Sequence, residues 1–204
     1  MRNGIIVTVL FACLIGSALL FYAGWELIIV GLLCVLFAFL YTTGPYPLSY
    51  NGWGDVLVIV FFGFVPVGGT YYVQALTWTS DTTVASMICG LLIDTLLVVN
   101  NYRDREADAR SGKRTVIVRF GEKFGRYLYL MLGVAASLLC FWFFFEGHLF
   151  AALLPLLYLI PHVLTWRRMV QIHSGKKLNS ILGETSRNML LMGILLSIGF
   201  LIRH

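Results

Sequence analysis

Charge is what this sequence has least of. Asp, Glu, Lys and Arg make up 12% of its 204 residues, about half of the ~25% that soluble domains carry. With 59% of residues hydrophobic, a soluble enzyme of this length would lack the polar groups to coat its surface, and the excess apolar area has to face lipid. A disordered tail is excluded on the same ground. Cysteine is scarce too: Cys13, Cys34, Cys89 and Cys140 lie 21, 55 and 51 residues apart inside apolar runs. No pair has zinc-ligand or redox-motif spacing, so a disulfide-stapled secreted module is excluded and each cysteine is expected to be buried and inert. The chain reads as an integral membrane protein, with the bilayer as a partner and no nucleic acid.

What is present is a series of long apolar runs. A helical span needs about 20 apolar residues, and seven such stretches occur, near 4–22, 25–41, 55–75, 83–101, 127–145, 149–166 and 188–203. Leu10-Phe11-Ala12-Cys13 faintly resembles a lipoprotein cleavage site, but the run from Ile5 to Tyr22 is 18 residues long, beyond the ~7–15 of a signal peptide's apolar region. A retained span is favoured. With the N-terminus cytoplasmic, the outer loops near 23–25, 76–82 and 146–148 hold neither Lys nor Arg, and 14 of the 15 basic residues fall inside, Arg203 alone outside. That asymmetry predicts N-in topology with the C-terminus outside. With no internal repeat and no low-complexity tract, residues 1–204 are expected to form one all-α, multipass helical domain.

The polar stretch from Asn100 to Thr115 follows the fourth run, and no Pro or Gly interrupts it before Gly112. If the helix continues, then at 100° per residue Asp94 and Asp108 lie about 20° to either side of Asn101, with Asp104 about 60° away. Arg103 and Arg110 should point to the far side. Two carboxylates four residues apart repel by a few tenths of a kcal/mol, an arrangement that makes more sense with a cation between them. Mg²⁺ suits hard oxygen ligands and commonly uses one or two carboxylates plus substrate phosphates. Lys113, Arg114 and Arg119 would add cationic contacts to those phosphates. The plainer reading, a solvated helix end laced with ion pairs, is about as common for such a motif taken alone. Asp94 weighs against it, because an acid inside a span marks a functional site by default.

At these residues the sequence resembles the UbiA-type membrane prenyltransferases, and most their 1,4-dihydroxy-2-naphthoate polyprenyltransferase branch. The resemblance rests on Asn100-Asn101-x-Arg103-Asp104-x3-Asp108-x3-Gly112-Lys113-Arg114-Thr115 followed by Val118-Arg119-Phe120-Gly121, similar to the family's second aspartate-rich motif. It extends to Tyr41-Thr42-x-Gly44-Pro45-Tyr46-Pro47, Gly52-x-Gly54-Asp55, Phe61-Phe62-Gly63 and Gly69-Thr70-Tyr71-Tyr72-Val73-Gln74. It implies a UbiA-like helical bundle around a cytoplasm-facing cavity in a bacterial plasma (inner) membrane. The implied reaction moves a polyprenyl group from polyprenyl diphosphate to 1,4-dihydroxy-2-naphthoate, with Mg²⁺ as cofactor and with loss of diphosphate and carbon dioxide, giving demethylmenaquinone. The family has nine helices and a first aspartate-rich motif before the third. Residues 1–40 hold a single acid, Glu26, so the chain is expected to match the last seven helices without that motif.

The resemblance makes Asp104 and Asp108 the expected metal ligands and catalytic residues, with Asn101 behind them. Lys113, Arg114 and Arg119 are expected on the diphosphate, although positive-inside anchoring explains any one of them equally well. Tyr41, Tyr46 and Asp55 are candidates for the acceptor pocket, with helix capping the ordinary alternative for Asp55; Asp94 is a further substrate-binding candidate, with a structural hydrogen bond to a neighbouring helix as its alternative. His162 is expected to be a hydrogen-bonded structural histidine, His173 to face headgroups, and Glu184 to pair with Arg187. Rival readings are an inactive or partial fragment of such an enzyme, a phospholipid-type phosphotransferase, which the aspartate spacing fits poorly, and a transporter piece using Asp94 as an ion site.

Overall fold

Helices account for almost all of the regular structure, and among the described residues there is no strand. That is the outcome expected where no water is present to satisfy backbone groups. The computed structural model describes residues 2–202; Met1, Arg203 and the expected end of the last span at 203 lie outside them. Six helices are long and apolar enough to cross a bilayer: α1 (Gly4–Ala23), α3 (Gly54–Ala75), α4 (Ser80–Arg110), α6 (Glu122–Phe145), α7 (Leu149–Ile172) and α8 (Lys176–Leu201). The remaining expected run, near 25–41, forms the shorter apolar helix α2 (Glu26–Thr42). A five-residue helix, α5 (Val116–Phe120), connects α4 to α6. Several helices start earlier than the hydropathy suggests, α8 at Lys176 rather than near 188. An apolar run marks only the lipid-embedded part of a helix that continues into the polar zone.

The central element is α4. Half of its most apolar stretch is buried inside the protein, against none of that in α1. Its 31 residues extend about 46 Å at 1.5 Å each, some 15 Å more than the ~30 Å hydrocarbon layer. The surplus lifts the polar stretch after Asn100 clear of the apolar zone. Thr79 starts the helix by accepting a hydrogen bond from the Thr82 amide. Gly112, at φ +77°, turns the chain after its end, as a left-handed residue past a helix terminus should.

Small residues let α3 come close to α4. A Cβ placed on Gly63 would stand 2.5 Å from the Ser86 carbonyl oxygen and 2.8 Å from the Gly90 Cα, and one on Gly90 would stand 2.9 Å from the Ile59 carbonyl. Here α3 is wound as a π-helix over Ile59–Gly68 with Pro66 inside it, a winding that accommodates the proline's missing N–H. On the other side, α6, α7 and α8 are stitched by buried polar contacts. Tyr129 and Thr185 share a hydrogen bond of 3.0 Å, and Asn188 donates to Thr165 at 2.9 Å. His162 bonds the Tyr158 hydroxyl at 2.9 Å and the Leu130 carbonyl at 3.2 Å. It is the structural histidine expected.

Three expectations are corrected. Only Cys140 is buried; Cys13 is exposed and Cys34 and Cys89 are partly so, because an apolar side chain bathed in hydrocarbon gains little by moving inward. Glu184 pairs with Arg168 of α7 at 2.7 Å rather than with Arg187, whose Nε donates to the Gly183 carbonyl. Asp55 sits in the first turn of α3 and does not cap it.

Gly63→Ala or Gly90→Ala should destabilise the protein in detergent by about 1–3 kcal/mol through overpacking. Gly69→Ala, whose added methyl meets nothing within 4 Å, should leave thermal unfolding unchanged or slightly raised. Equal melting behaviour of all three variants would show that the α3–α4 crossing is not tight.

Candidate functional site

A cavity of about 330 Å³ opens where the upper end of α4 meets the ends of α2 and α3. Leu97, Asn100, Asn101 and Asp108 of α4 form one wall; Ser111, Lys113 and Thr115 close it after the Gly112 turn. Tyr41 from α2, Ser49, Tyr50 and Gly52 from the following loop, and Gly54 and Asp55 from α3 form the other. Five of the ten residues named from sequence therefore meet here: Tyr41, Asp55, Asn101, Asp108 and Lys113.

The helical stripe drawn from sequence is only partly a cavity wall. Asp108 faces the cavity, and Lys113 donates to its Oδ2 at 3.3 Å; both side chains are largely shielded. Asp104 is turned away, held by the Arg103 guanidinium at 2.7 and 2.5 Å. Arg103 thus does not point to the far side as the helical angle suggested. It curls onto its neighbour and onto Asn100 at 2.6 Å, while Asn179 of α8 takes its Nη1 at 2.9 Å. A long side chain carries its charge wherever partners lie, and three acceptors lie on that side.

Arg114 and Arg119 do not line the cavity either. They fasten its lid. The Arg114 amide donates to the Tyr50 carbonyl at 2.7 Å, and Arg119 donates to the Asn51 carbonyl at 2.7 Å. Gly52, at φ +81°, passes beside the Arg114 carbonyl and the Arg119 guanidinium, leaving no room for a side chain. Tyr46 is exposed on the same loop. Asp94 is buried, 1% exposed, below the cavity.

Sequence reasoning missed Glu122. It accepts from Tyr102 at 3.1 Å, from Arg105 at 3.2 Å, from Arg126 and from His173 at 3.1 Å. This knot ties α4, α6 and the turn before α8 together just outside the cavity. An acid one residue after a glycine reads only as a helix start; the four partners come from three separate elements, which spacing does not reveal. His173, expected to face headgroups, is thereby drawn to Glu122.

Among the described residues no three His, Cys, Asp or Glu side chains converge as a ready metal cage. The donors present still meet the lower requirement of Mg²⁺, one or two carboxylates completed by phosphate oxygens: Asp108 with the Asn101 and Asn100 amides beside it, and Asp104 within one turn.

Comparison with known proteins matches residues 2–198 to the UbiA prenyltransferase family. The chain belongs to that family. It is 38% identical to the 1,4-dihydroxy-2-naphthoate octaprenyltransferase of Haemophilus influenzae over 181 residues, 85% of this chain and 56% of that protein. To the Escherichia coli enzyme of the same name it is 38% identical over 146 residues, 69% of this chain and 47% of the other. To that of Mycobacterium tuberculosis it is 44% identical over 119 residues, 58% and 40% respectively. The chain spans about half the length of the curated relatives it matches. No solved structure matches it. This UbiA-family chain is thus a multipass helical membrane protein, similar to proteins named 1,4-dihydroxy-2-naphthoate octaprenyltransferase.

Arg119→Ala should free the lid. Hydrogen exchange across residues 48–53 should quicken by about tenfold, the worth of one hydrogen bond from a charged donor, with global melting little changed. Unaltered exchange would mean that the Arg119 contact does not hold the loop.

Proposed function

We propose that this chain carries the diphosphate- and acceptor-binding half of a prenyl transfer from polyprenyl diphosphate to 1,4-dihydroxy-2-naphthoate. Diphosphate and carbon dioxide leave, and demethylmenaquinone is formed. The observation that carries the reading is the placement of Asp108 and Lys113, either side of the Gly112 turn, in one cavity at the end of a spanning helix. The names of the relatives support the same chemistry.

Bound Mg²⁺ would supply charge stabilisation for diphosphate as it leaves the allylic carbon. Asp108 would hold the ion, with Asp104 as a second carboxylate once free of Arg103 and Asn101 behind them. Lys113, now paired with Asp108, would offer its ammonium to a phosphate oxygen while the carboxylate serves the cation. Arg114 and Arg119 act at the rim, where they close the loop of residues 48–53 over the headgroup. Tyr41, Tyr46, Asp55 and Asp94 form the acceptor side. The basic asymmetry of the loops supports a bacterial plasma membrane setting, with the N-terminus and the motif loop cytoplasmic and the C-terminus outside, and residues 1–204 act as one domain.

The test is binding of a prenyl diphosphate to the purified chain in lipid nanodiscs, with Mg²⁺ and with chelator, beside turnover with dihydroxynaphthoate. Binding should require Mg²⁺ and weaken by about tenfold or more in Asp108→Ala, with a smaller loss in Asp104→Ala. Affinity unchanged by chelator and by both substitutions would overturn the assignment.

A further inference from the structure

One carboxyl oxygen at the cavity wall and one buried beyond it have nothing to bind. Asp55 Oδ1, at the cavity wall, and Asp94 Oδ1, behind it, are each shielded from solvent and have no hydrogen-bond partner. Neither acid forms an ion pair among the described residues. Tyr41 completes the group: its hydroxyl stands 3.5 Å from where a Cβ on Gly54 would lie, within electrostatic reach of both acids, as Asp55 is of Asp94. Buried acceptors without donors are rare because each costs the full loss of its hydration. Two near one another in an apolar setting do not both ionise readily, and together they define a site that wants hydrogen-bond donors.

Resting on the prenyl-transfer reading, we propose that Asp55, backed by Asp94 and flanked by Tyr41, is the subsite that selects the aromatic acceptor through its ring hydroxyl. A neutral hydroxylated ring donates to the waiting Asp55 oxygen, whereas a ring without a donor leaves both acids unpaired. Sites built to bond a hydroxyl reject analogues lacking it far more strongly than apolar pockets reject a size change. The acceptor's own carboxylate gains nothing from these acids and pairs instead with Lys113, which lines the same cavity. Donation to a carboxylate also enriches the ring in electrons at the carbons that attack the prenyl group. Asp55 touches the acceptor; Asp94 is a positioning residue that acts through it.

The experiment measures binding of 1,4-dihydroxy-2-naphthoate and its 1,4-dimethoxy analogue to the full chain in nanodiscs, with Mg²⁺-dependent prenyl diphosphate binding as the control for folding. The parent should prefer the dihydroxy ring by about tenfold or more. That preference should largely vanish in Asp55→Ala and shrink in Asp55→Asn and Asp94→Asn, while prenyl diphosphate affinity holds. Equal affinity of the parent for the two rings, or undiminished preference in both Asp55 variants, overturns hydroxyl selection and leaves the prenyl-transfer reading standing. Binding of Na⁺ or Mg²⁺ alone that disappears in Asp55→Asn would make the pair a cation site and overturns it equally. A parent that binds neither prenyl diphosphate nor the dihydroxy ring overturns both.

Discussion

A helix of 31 residues in a layer that needs about 20 has to put its remainder somewhere, and the rest of this structure follows from where α4 puts it. The buried half of α4 packs against α3 on one side and α6 and α8 on the other, so its axis is fixed. Its last three turns therefore rise from the apolar zone as a rigid post, carrying Asn101, Asp104 and Asp108 at a set height and angle. Loops alone would leave such groups mobile. A packed helix holds them to within the play of a side chain.

That post is useful only because the neighbouring backbone comes close. Gly63 and Gly90 permit the approach of α3 to α4, and the approach brings Asp55 and the loop of residues 48–53 opposite Asn101 and Asp108. The loop is then fastened to the segment after α4 by two carbonyls, Tyr50 and Asn51. One of these bonds comes from the Arg114 main-chain amide and the other from the Arg119 guanidinium, a basic head spent on backbone. Lys113, shorter and without a fixed fork, is the one left in the cavity, paired with Asp108.

The rim is a set of exchangeable ion pairs. Arg103 on Asp104, Lys113 on Asp108, and Arg105, Arg126 and His173 on Glu122 match three acids near the headgroup zone with basic partners. Below them the pattern stops. Asp55 and Asp94 have no cation, and Tyr41 is the polar neighbour that reaches them. The site is therefore graded, with cations and acids matched at its mouth and acidic side chains without a cation behind it. Such a gradient orients a ligand that carries an anionic group at one end and hydroxyl donors at the other.

Hydropathy and period alone determined the membrane setting, the all-α class, seven apolar runs that all form helices, the unbroken helix through the motif and its stop at Gly112. These depend on local properties: apolar length, the absence of a breaker, and 100° per residue. The motif spacing also determined that Asn101 and Asp108 share a face. Only the tertiary structure decided that Asp104 turns to Arg103, that Arg114 and Arg119 strap a loop, that Glu122 gathers four donors, and that Asp55 meets Asp94. Periodicity fixes the direction of a Cβ, whereas the heads of long side chains choose among partners brought by other helices. Those partners come from distant parts of the chain, and no spacing within one helix encodes them.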